Sequence, residues 1–411
     1  MEKTVNSKIL DSLNGNWQDK LLFLTLLLSV TYYKITPLCL VILFILVLIQ
    51  GKEKVKSLKQ DFNWNNGLFW AVIFYGVHLL GLLWSQNITF GLSDLGMKLS
   101  FLLIPLIFMM ANFSLSAKRI LTNFSYALSL IVLLMLLFSI WRSIYYPEDN
   151  NWGYFFETEF SIFIHRSYWA TYSAFASGVI LVRILENYTK LKWFDICAWM
   201  LLSLSTFFTI SKAGIIIWFS LTFFIVTHRL FLSRHGRKTI LILGISGLFC
   251  GIFLFSNSKI RSRFSDISTS IAHIKSSNNE TVESSGARLV MWSTSWSLIK
   301  ENWVFGVGTG DVKDLLIKKN IEKGNIGAAE RKLNSHNQFL NTWVQLGIVG
   351  LVSLLMLFVM TLKQAIQTKT VFGFLFIICF GITMLFESFV ETQAGIIPFC
   401  ILFCVINTKK H

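Results

Sequence analysis

Asn334-Ser335-His336-Asn337-Gln338-Phe339-Leu340 runs directly into Asn341-Thr342-Trp343-Val344-Gln345-Leu346-Gly347-Ile348-Val349-Gly350-Leu351. The stretch starts polar, carries a histidine, and becomes apolar without a break. Apolar sequence then continues over 338–362, the length of a helix that crosses a bilayer. Asn334 or Ser335 is the expected N-cap, its side-chain oxygen taking an unpaired amide at the helix start. His336 then falls in the first turn, at the level where apolar core meets water.

The same kind of segment recurs along the chain. The sequence is 54% hydrophobic and 14% charged, with a mean hydropathy of +0.59, which excludes an ordinary soluble domain. Apolar runs fall at 19–33, 36–50, 67–84, 98–112, 120–141, 167–186, 193–210, 213–227, 239–256, 338–362, 371–387 and 394–407. Backbone amides in lipid must be satisfied within their own segment, so runs this long read as helices; barrel strands are about half the length and alternate in polarity. The expected fold is an all-α polytopic membrane protein of about twelve helices. Its parts are N-terminal membrane helices over 1–256, a loop domain over 257–337 and C-terminal membrane helices over 338–411. The short first pair also fits a re-entrant hairpin. An even number of spans puts both ends on one side.

The net charge is +15, but the basic residues sit mostly in short loops rather than in a soluble patch, so nucleic acid is not an expected partner. Lysines and arginines crowd the N-terminus, 51–66, 113–119, 187–192, 228–238, 363–370 and the C-terminus. The short opposite loops hold Lys34, Lys98, Arg142, Arg166 and Lys212. The positive-inside rule therefore places both termini in the cytoplasm. All six cysteines fall inside apolar runs, so no disulfide framework is expected. The polar N-terminus and the lack of a small-x-small cleavage site in the first apolar run predict no removable signal peptide.

Two segments face outward with substantial content. The first, 142–166, ends in His165-Arg166. The second, 257–337, opens with a Ser/Asn-rich loop to Gly286. Leu289, Trp292, Trp296, Ile299 and Trp303 then recur at spacings of 3, 4, 3 and 4, one face of an amphipathic helix expected to lie on the membrane surface. Gly306, Gly308 and Gly310 break it and read as a hinge: the run follows a helix and lacks a P-loop lysine. A second amphipathic piece covers 311–322.

Of the seven histidines, only His165 and His336 stand where a helix meets the outer surface. Such a histidine serves either as an amphipathic anchor or as a general base, and position alone does not choose. Arg288 heads the Trp-bearing helix and is either a surface arginine or a rigid fork for phosphate oxygens. Lys212, in Ile210-Ser211-Lys212-Ala213-Gly214, interrupts apolar sequence with almost no loop, and a cation so placed points to function. Glu387 and Glu391, one turn apart beside the last outward loop, are candidates to orient a basic residue or form a solvated turn. No Asp-x-Asp, His-x-x-x-His or Cys/His cluster faces outward, so no catalytic metal and no cofactor is expected.

These residues together resemble the O-antigen ligase family of integral membrane glycosyltransferases, which also includes polysaccharide polymerases and protein O-oligosaccharyltransferases. The resemblance covers the layout: about twelve helices, a large periplasmic loop after the ninth, and within it an Arg-headed, Trp-containing helix from Arg288 to Trp303. Gly306-x-Gly308 follows, then Ser335-His336-Asn337 leading into Leu346-Gly347-Ile348-x-Gly350, the most specific part. It implies transfer of a glycan from an undecaprenyl-diphosphate carrier to a hydroxyl acceptor at the periplasmic face of the bacterial inner membrane. The acceptor is the lipid A core for a ligase or another repeat unit for a polymerase. It implies His336 as the catalytic base and Arg288 on the diphosphate, matches Lys212 to a cationic position, and includes His165-Arg166 in a short outward motif. Lys212 and Arg166 are then further diphosphate candidates, with His165, Asn337 and, from their place beside the last outward loop, Glu387 and Glu391 in support. Where relatives often carry arginine, Ser211-Lys212 keeps the charge but gives up the fork. The implied reaction is metal-independent and inverting, with membrane lipid around the carrier tail. The rival of another class, a non-catalytic lipid or polysaccharide transporter, predicts charged residues buried along a path, whereas here they concentrate at one surface.

Overall fold

The computed structural model describes residues 16–49, 62–111, 113–146, 151–186, 192–232, 244 and 285–408. The expected span 239–256 and the Ser/Asn-rich stretch before 285 lie outside them. Among the described residues the chain is helical, with no strand. The helices are α1 (Asn16–Thr31), α2 (Thr36–Ile49), α3 (Gly67–Leu80), α4 (Ile88–Lys98), α5 (Ser100–Met110), α6 (Ala117–Tyr145), α7 (Glu157–Phe160) and α8 (Arg166–Glu186). They continue as α9 (Trp193–Phe208), α10 (Lys212–Leu232), α11 (Ser285–Glu301), α12 (Val312–Glu322), α13 (Ile326–Glu330), α14 (Gln338–Thr368), α15 (Val371–Phe386) and α16 (Gln393–Asn407). Among the described residues six segments are long and apolar enough to cross a membrane: Gly67–Trp84, Ile88–Met110, Ala117–Tyr145, Arg166–Glu186, Lys212–Leu230 and Gln338–Thr368. Each expected span other than 239–256 coincides with a helix.

The bundle is built around α8, which is buried almost throughout. Ala170, Ser173, Ala174, Ala176, Ser177 and Gly178 keep its surface thin, so neighbouring backbones approach closely, the usual basis of helix packing in lipid. A Cβ on Gly214 of α10 would stand 2.4 Å from the Ala170 Cβ, so the first turns of α8 and α10 touch. On the other side Phe376 and Phe380 of α15 pack with Phe399 of α16.

Three expectations need correction along the segments that frame the site. The span expected at 98–112 begins earlier: α4 and α5 run on as one 23-residue apolar segment. Lys98 lies midway along it and is fully buried rather than exposed on a loop, because Asp94 and Glu391 carboxylates flank its ammonium. The cap of α14 is Asn337, whose Oδ1 accepts from Leu340 N at 3.0 Å. His336 therefore precedes the helix instead of sitting in its first turn. Finally, α14 is not unbroken: Gly347 has φ 65° and ψ −160°, outside helical space.

The break makes α14 double back. In a straight helix Phe339 and Phe358 would be about 28 Å apart at 1.5 Å per residue; their ring centroids are 6.1 Å apart. Residues 338–346 form a short arm lying back along the longer arm that follows Gly347. A broken helix exposes unpaired carbonyls and amides that must find partners. The glycine loop supplies them: Val307 N donates to Val344 O at 2.8 Å, Gly308 N to Gln345 O at 2.9 Å, and Ile348 N to Trp303 O at 2.9 Å. Gly306, Gly308 and Gly310 are thus a backbone strap across the break, not the expected hinge. Positive φ at Gly306 and Gly308 lets the strap approach.

Gly347→Ala is therefore expected to be severely destabilising. Its backbone conformation is essentially glycine-only, and an added Cβ would meet Val304 O at 2.0 Å. The combined strain and overlap cost roughly 2–5 kcal/mol. The check is the unfolding midpoint of purified protein in detergent against Gly76→Ala, where nothing lies within 4 Å of the new methyl. Equal midpoints would refute the account.

Residues 285–337 pack onto the short arm. Ala287, Val290, Met291, Leu298, Ile299, Val307, Leu316 and Ala328 form a second apolar core that includes Val344. The buried side of α11 is offset from the predicted stripe: Ile299 packs inward, while Leu289 and Trp296, and Trp303 just beyond the helix, are exposed. Trp292 is half-buried against Phe386 and Trp296 packs its edge on Trp343, so the tryptophans divide between the protein and the exposed side of the helix. Asp311 ties this part to the bundle, its carboxylate accepting from Gln86 N and Asn87 N at 2.8 Å each.

Candidate active site

The site forms where four helix ends meet a short turn. α15 and α16 have 16 and 15 residues, about 24 and 22 Å long, short of the ~30 Å of a bilayer core. The turn joining them, 387–392, therefore lies lower than the ends of the longer helices, and the short arm of α14 descends toward it.

Local chemistry sets His336 precisely at the head of that arm. Ser335 is buried, with its Oγ hydrogen-bonded to Ser295 Oγ at 2.9 Å and to Asn341 Oδ1 at 3.2 Å. Asn334 Oδ1 accepts from His336 N at 3.0 Å. Between these ties His336 adopts φ 45°, a left-handed conformation that costs a non-glycine residue about 1–2 kcal/mol. Such strain persists only where the surroundings impose it. The imidazole Nδ1 lies 3.7 Å from Glu387 Oε2, an ion-pair distance rather than a hydrogen bond. Neither ring nitrogen has a hydrogen-bond partner among the described residues.

Arg288 reaches the same carboxylate from α11. Its Nη2 donates to Glu387 Oε1 at 2.8 Å and its Nε to Phe386 O at 2.9 Å. The second bond satisfies a terminal carbonyl of α15, where a cation also suits the helix dipole. Among the described residues Nη1 remains uncommitted. Arg288 and His336, distant in sequence, thus meet on the two oxygens of Glu387. Burial pushes the Glu387 carboxyl up, but His336, Arg288 and His165 together outweigh it and hold its pKa below the ordinary 4.5. The group is an anion across the neutral range.

His165 and Arg166 stand beside this trio at the start of α8. Tyr168 packs its ring on Phe389 of the turn, centroids 4.8 Å apart, and Arg166 Nη1 lies 3.7 Å from Glu157 Oε2. Lys212 opens α10 after Ile210 at φ 47°, and the Gly214–Ala170 contact sets that opening beside the start of α8. Of the predicted residues, the structure joins Arg288, His336 and Glu387 directly. It places His165, Arg166 and Lys212 on adjoining helix starts and gives Asn337 the capping role.

Glu391 does not share the Glu387 cluster. Its Oε2 pairs with Lys98 Nζ at 2.7 Å, and its Oε1 accepts from Gln338 Nε2 at 2.8 Å. Sequence reasoning missed this group of Asp94, Lys98, Gln338 and Gln345. One signal was present: Asp94 and Lys98 are four apart, the spacing of a helical ion pair, at the edge of an apolar run.

Residues 197–355 match the family model described as O-Antigen ligase, a stretch that carries Lys212, Arg288, His336 and Asn337 and ends before Glu387. A protein of Haemophilus influenzae (strain ATCC 51907 / DSM 11121 / KW20 / Rd), described as an uncharacterized protein, is 25% identical over 346 residues, covering 82% of this chain and 81% of its own.

Proposed function

With residues 197–355 assigned to the O-antigen ligase family, we propose that this multi-pass membrane protein is a glycosyltransferase. It moves a glycan from undecaprenyl diphosphate to a hydroxyl acceptor at the periplasmic face of the bacterial inner membrane, as an O-antigen ligase acting on lipid A core. The observation that carries this reading is the meeting of Arg288 and His336 on Glu387. A carboxylate against Nδ1 favours the tautomer that leaves the Nε2 lone pair available. Nε2 takes the proton of the acceptor hydroxyl as its oxygen attacks the anomeric carbon. The bond from that carbon to the diphosphate oxygen breaks on the opposite face, so configuration inverts. The products are the new glycoside and undecaprenyl diphosphate, and the proton leaves His336 for solvent.

Charge gathers on the diphosphate as that bond breaks. Fixed cations aimed at developing charge in a site shielded from water are the strongest general means of lowering such a barrier. Arg288 through Nη1, with Arg166 and Lys212 on the adjoining helix starts, fills that role without a metal. An apolar groove of about 590 Å³ supports a lipid-borne donor. It is lined by Phe223, Phe224, Phe339, Ile378, Ile382 and Leu385 among others, and reaches to within two or three residues of Glu387 and His336 in sequence. A carrier tail lies there in contact with lipid while its diphosphate meets the cations.

Reconstitution in vesicles with an undecaprenyl-diphosphate-linked glycan tests the reading. Transfer to added lipid A core in the presence of chelator is expected. Absence of transfer overturns the proposal, and loss in chelator restored by a divalent ion overturns the metal-free chemistry. Lengthening of the glycan on its carrier without core lipid identifies a polymerase instead.

A further inference from the structure

Lys98 stands at the centre of a polar network that the proposed chemistry does not use. Its ammonium is 2.5 Å from Asp94 Oδ1 and 2.7 Å from Glu391 Oε2, and the lysine is 0% exposed midway along a membrane-length apolar segment. The remaining carboxylate oxygens are taken by two glutamines of the doubled-back arm. Gln345 Nε2 donates to Asp94 Oδ2 at 2.9 Å and Gln338 Nε2 to Glu391 Oε1 at 2.8 Å. The glutamines are seven residues apart, two turns of helix, and so share one face of the arm.

The outer ends of the network touch the site itself. Gln338 Oε1 accepts from Val390 N at 2.9 Å, so one side chain holds both the backbone and a carboxylate of the turn. Gln338 is two residues after His336, and Val390 is three after Glu387. Gln345 Nε2 also donates to Thr309 O at 3.1 Å, fastening the arm to the glycine strap. One ammonium therefore fixes the arm that carries the imidazole against the turn that carries its carboxylate.

Energetics argue that this network serves more than cohesion. Desolvating three charged groups offsets most of what their attraction returns, and buried ion clusters replaced by apolar residues of similar volume are often as stable or more so. What the cluster supplies that packing would not is direction. Each carboxylate oxygen has a donor and Gln338 is bonded through both amide atoms, while Gln345 Oε1 has no partner among the described residues. So many directed bonds favour one arrangement of arm and turn.

We propose that Lys98, with Asp94 and Glu391, is a positioning group for the transferase site, setting the His336–Glu387 distance through Gln338; this rests on the glycosyltransfer reading above. None of the three touches substrate. A 1 Å misplacement of a reacting group is enough to cost on the order of a hundredfold in rate.

Two variants test it. The Asp94→Asn, Lys98→Met, Glu391→Gln triple removes the charges together and leaves no unpaired ion, and Gln338→Met cuts the link to the arm while keeping the Lys98 ion pairs, at the loss of one donor to Glu391. Binding sites are counted with undecaprenyl diphosphate, and turnover is expressed per site. The expected result for both is a roughly tenfold to hundredfold fall in kcat per binding site, with donor KM within about threefold of the parent, since P-O contacts to the cations remain. Unchanged kcat per site overturns the proposal. So does a loss of activity matched by a loss of binding sites, or failure of both variants to fold, since each marks a purely structural role. An inactive parent protein in the same assay would instead count against the glycosyltransfer reading, which separates the two failures.

Discussion

His336→Ala abolishes glycan transfer in the reconstituted system while the protein still inserts and binds undecaprenyl diphosphate. The expected loss is roughly 10²–10⁴ in kcat, the usual contribution of a positioned general base. Alanine alone is an incomplete test, because His336 sits at φ 45° and alanine resists that conformation. Asparagine visits it readily, so His336→Asn keeps the backbone while removing the imidazole. Both variants are expected to be equally inactive. Neither removes a hydrogen bond made by the ring, since both ring nitrogens lack one among the described residues, so the folded population should be nearly unchanged for asparagine. Transfer retained in His336→Asn would eliminate the histidine as base. Activity lost in alanine alone would locate the defect in the backbone.

Arg288→Lys is expected to lower kcat/KM by about a hundredfold, with both donor KM and kcat affected. The guanidinium performs two tasks at once, donating through Nε to Phe386 O and through Nη2 to Glu387 Oε1, and keeps Nη1 for the diphosphate. Lysine retains the charge but concentrates its donors on one nitrogen at the end of a flexible stem. It can hold Glu387 or reach a phosphate, but it lacks the fork that does both. The measurement is steady-state transfer over a range of donor concentration, alongside equilibrium binding of undecaprenyl diphosphate. Wild-type kinetics in the lysine variant would show that charge alone suffices, and the assigned role of the fork would be withdrawn.

Much of the bundle is legible in the amino-acid order because apolar length is a local property, and the helices duly coincide with the runs outside 239–256. The pairing of Arg288 and His336 is also anticipated, through a resemblance carried by their flanking motifs, and Glu387 is a candidate partner from its place beside an outward turn. What escapes is whatever depends on contacts between distant segments. Nothing around Gly347 announces a positive φ, since glycine is common in membrane helices; the reversal exists because residues 303–308 arrive to satisfy the freed backbone groups. The cap falls on Asn337 rather than Asn334 or Ser335 because Ser335 is already engaged by Ser295 across the domain. Lys98 reads as a loop cation until Glu391, nearly three hundred residues later, is brought beside it.

The reversal at Gly347 has a bearing on where the reaction takes place. Because the imidazole hangs from an arm nine residues long, its depth is measured from the molecule's own rim and not from the surrounding lipid. Each residue of the arm corresponds to about 1.5 Å of descent and about 100° of rotation. The arm behaves as a plumb line whose length cannot change by a single residue without turning the ring away from its carboxylate, so a one-residue insertion there should abolish the His336–Glu387 approach.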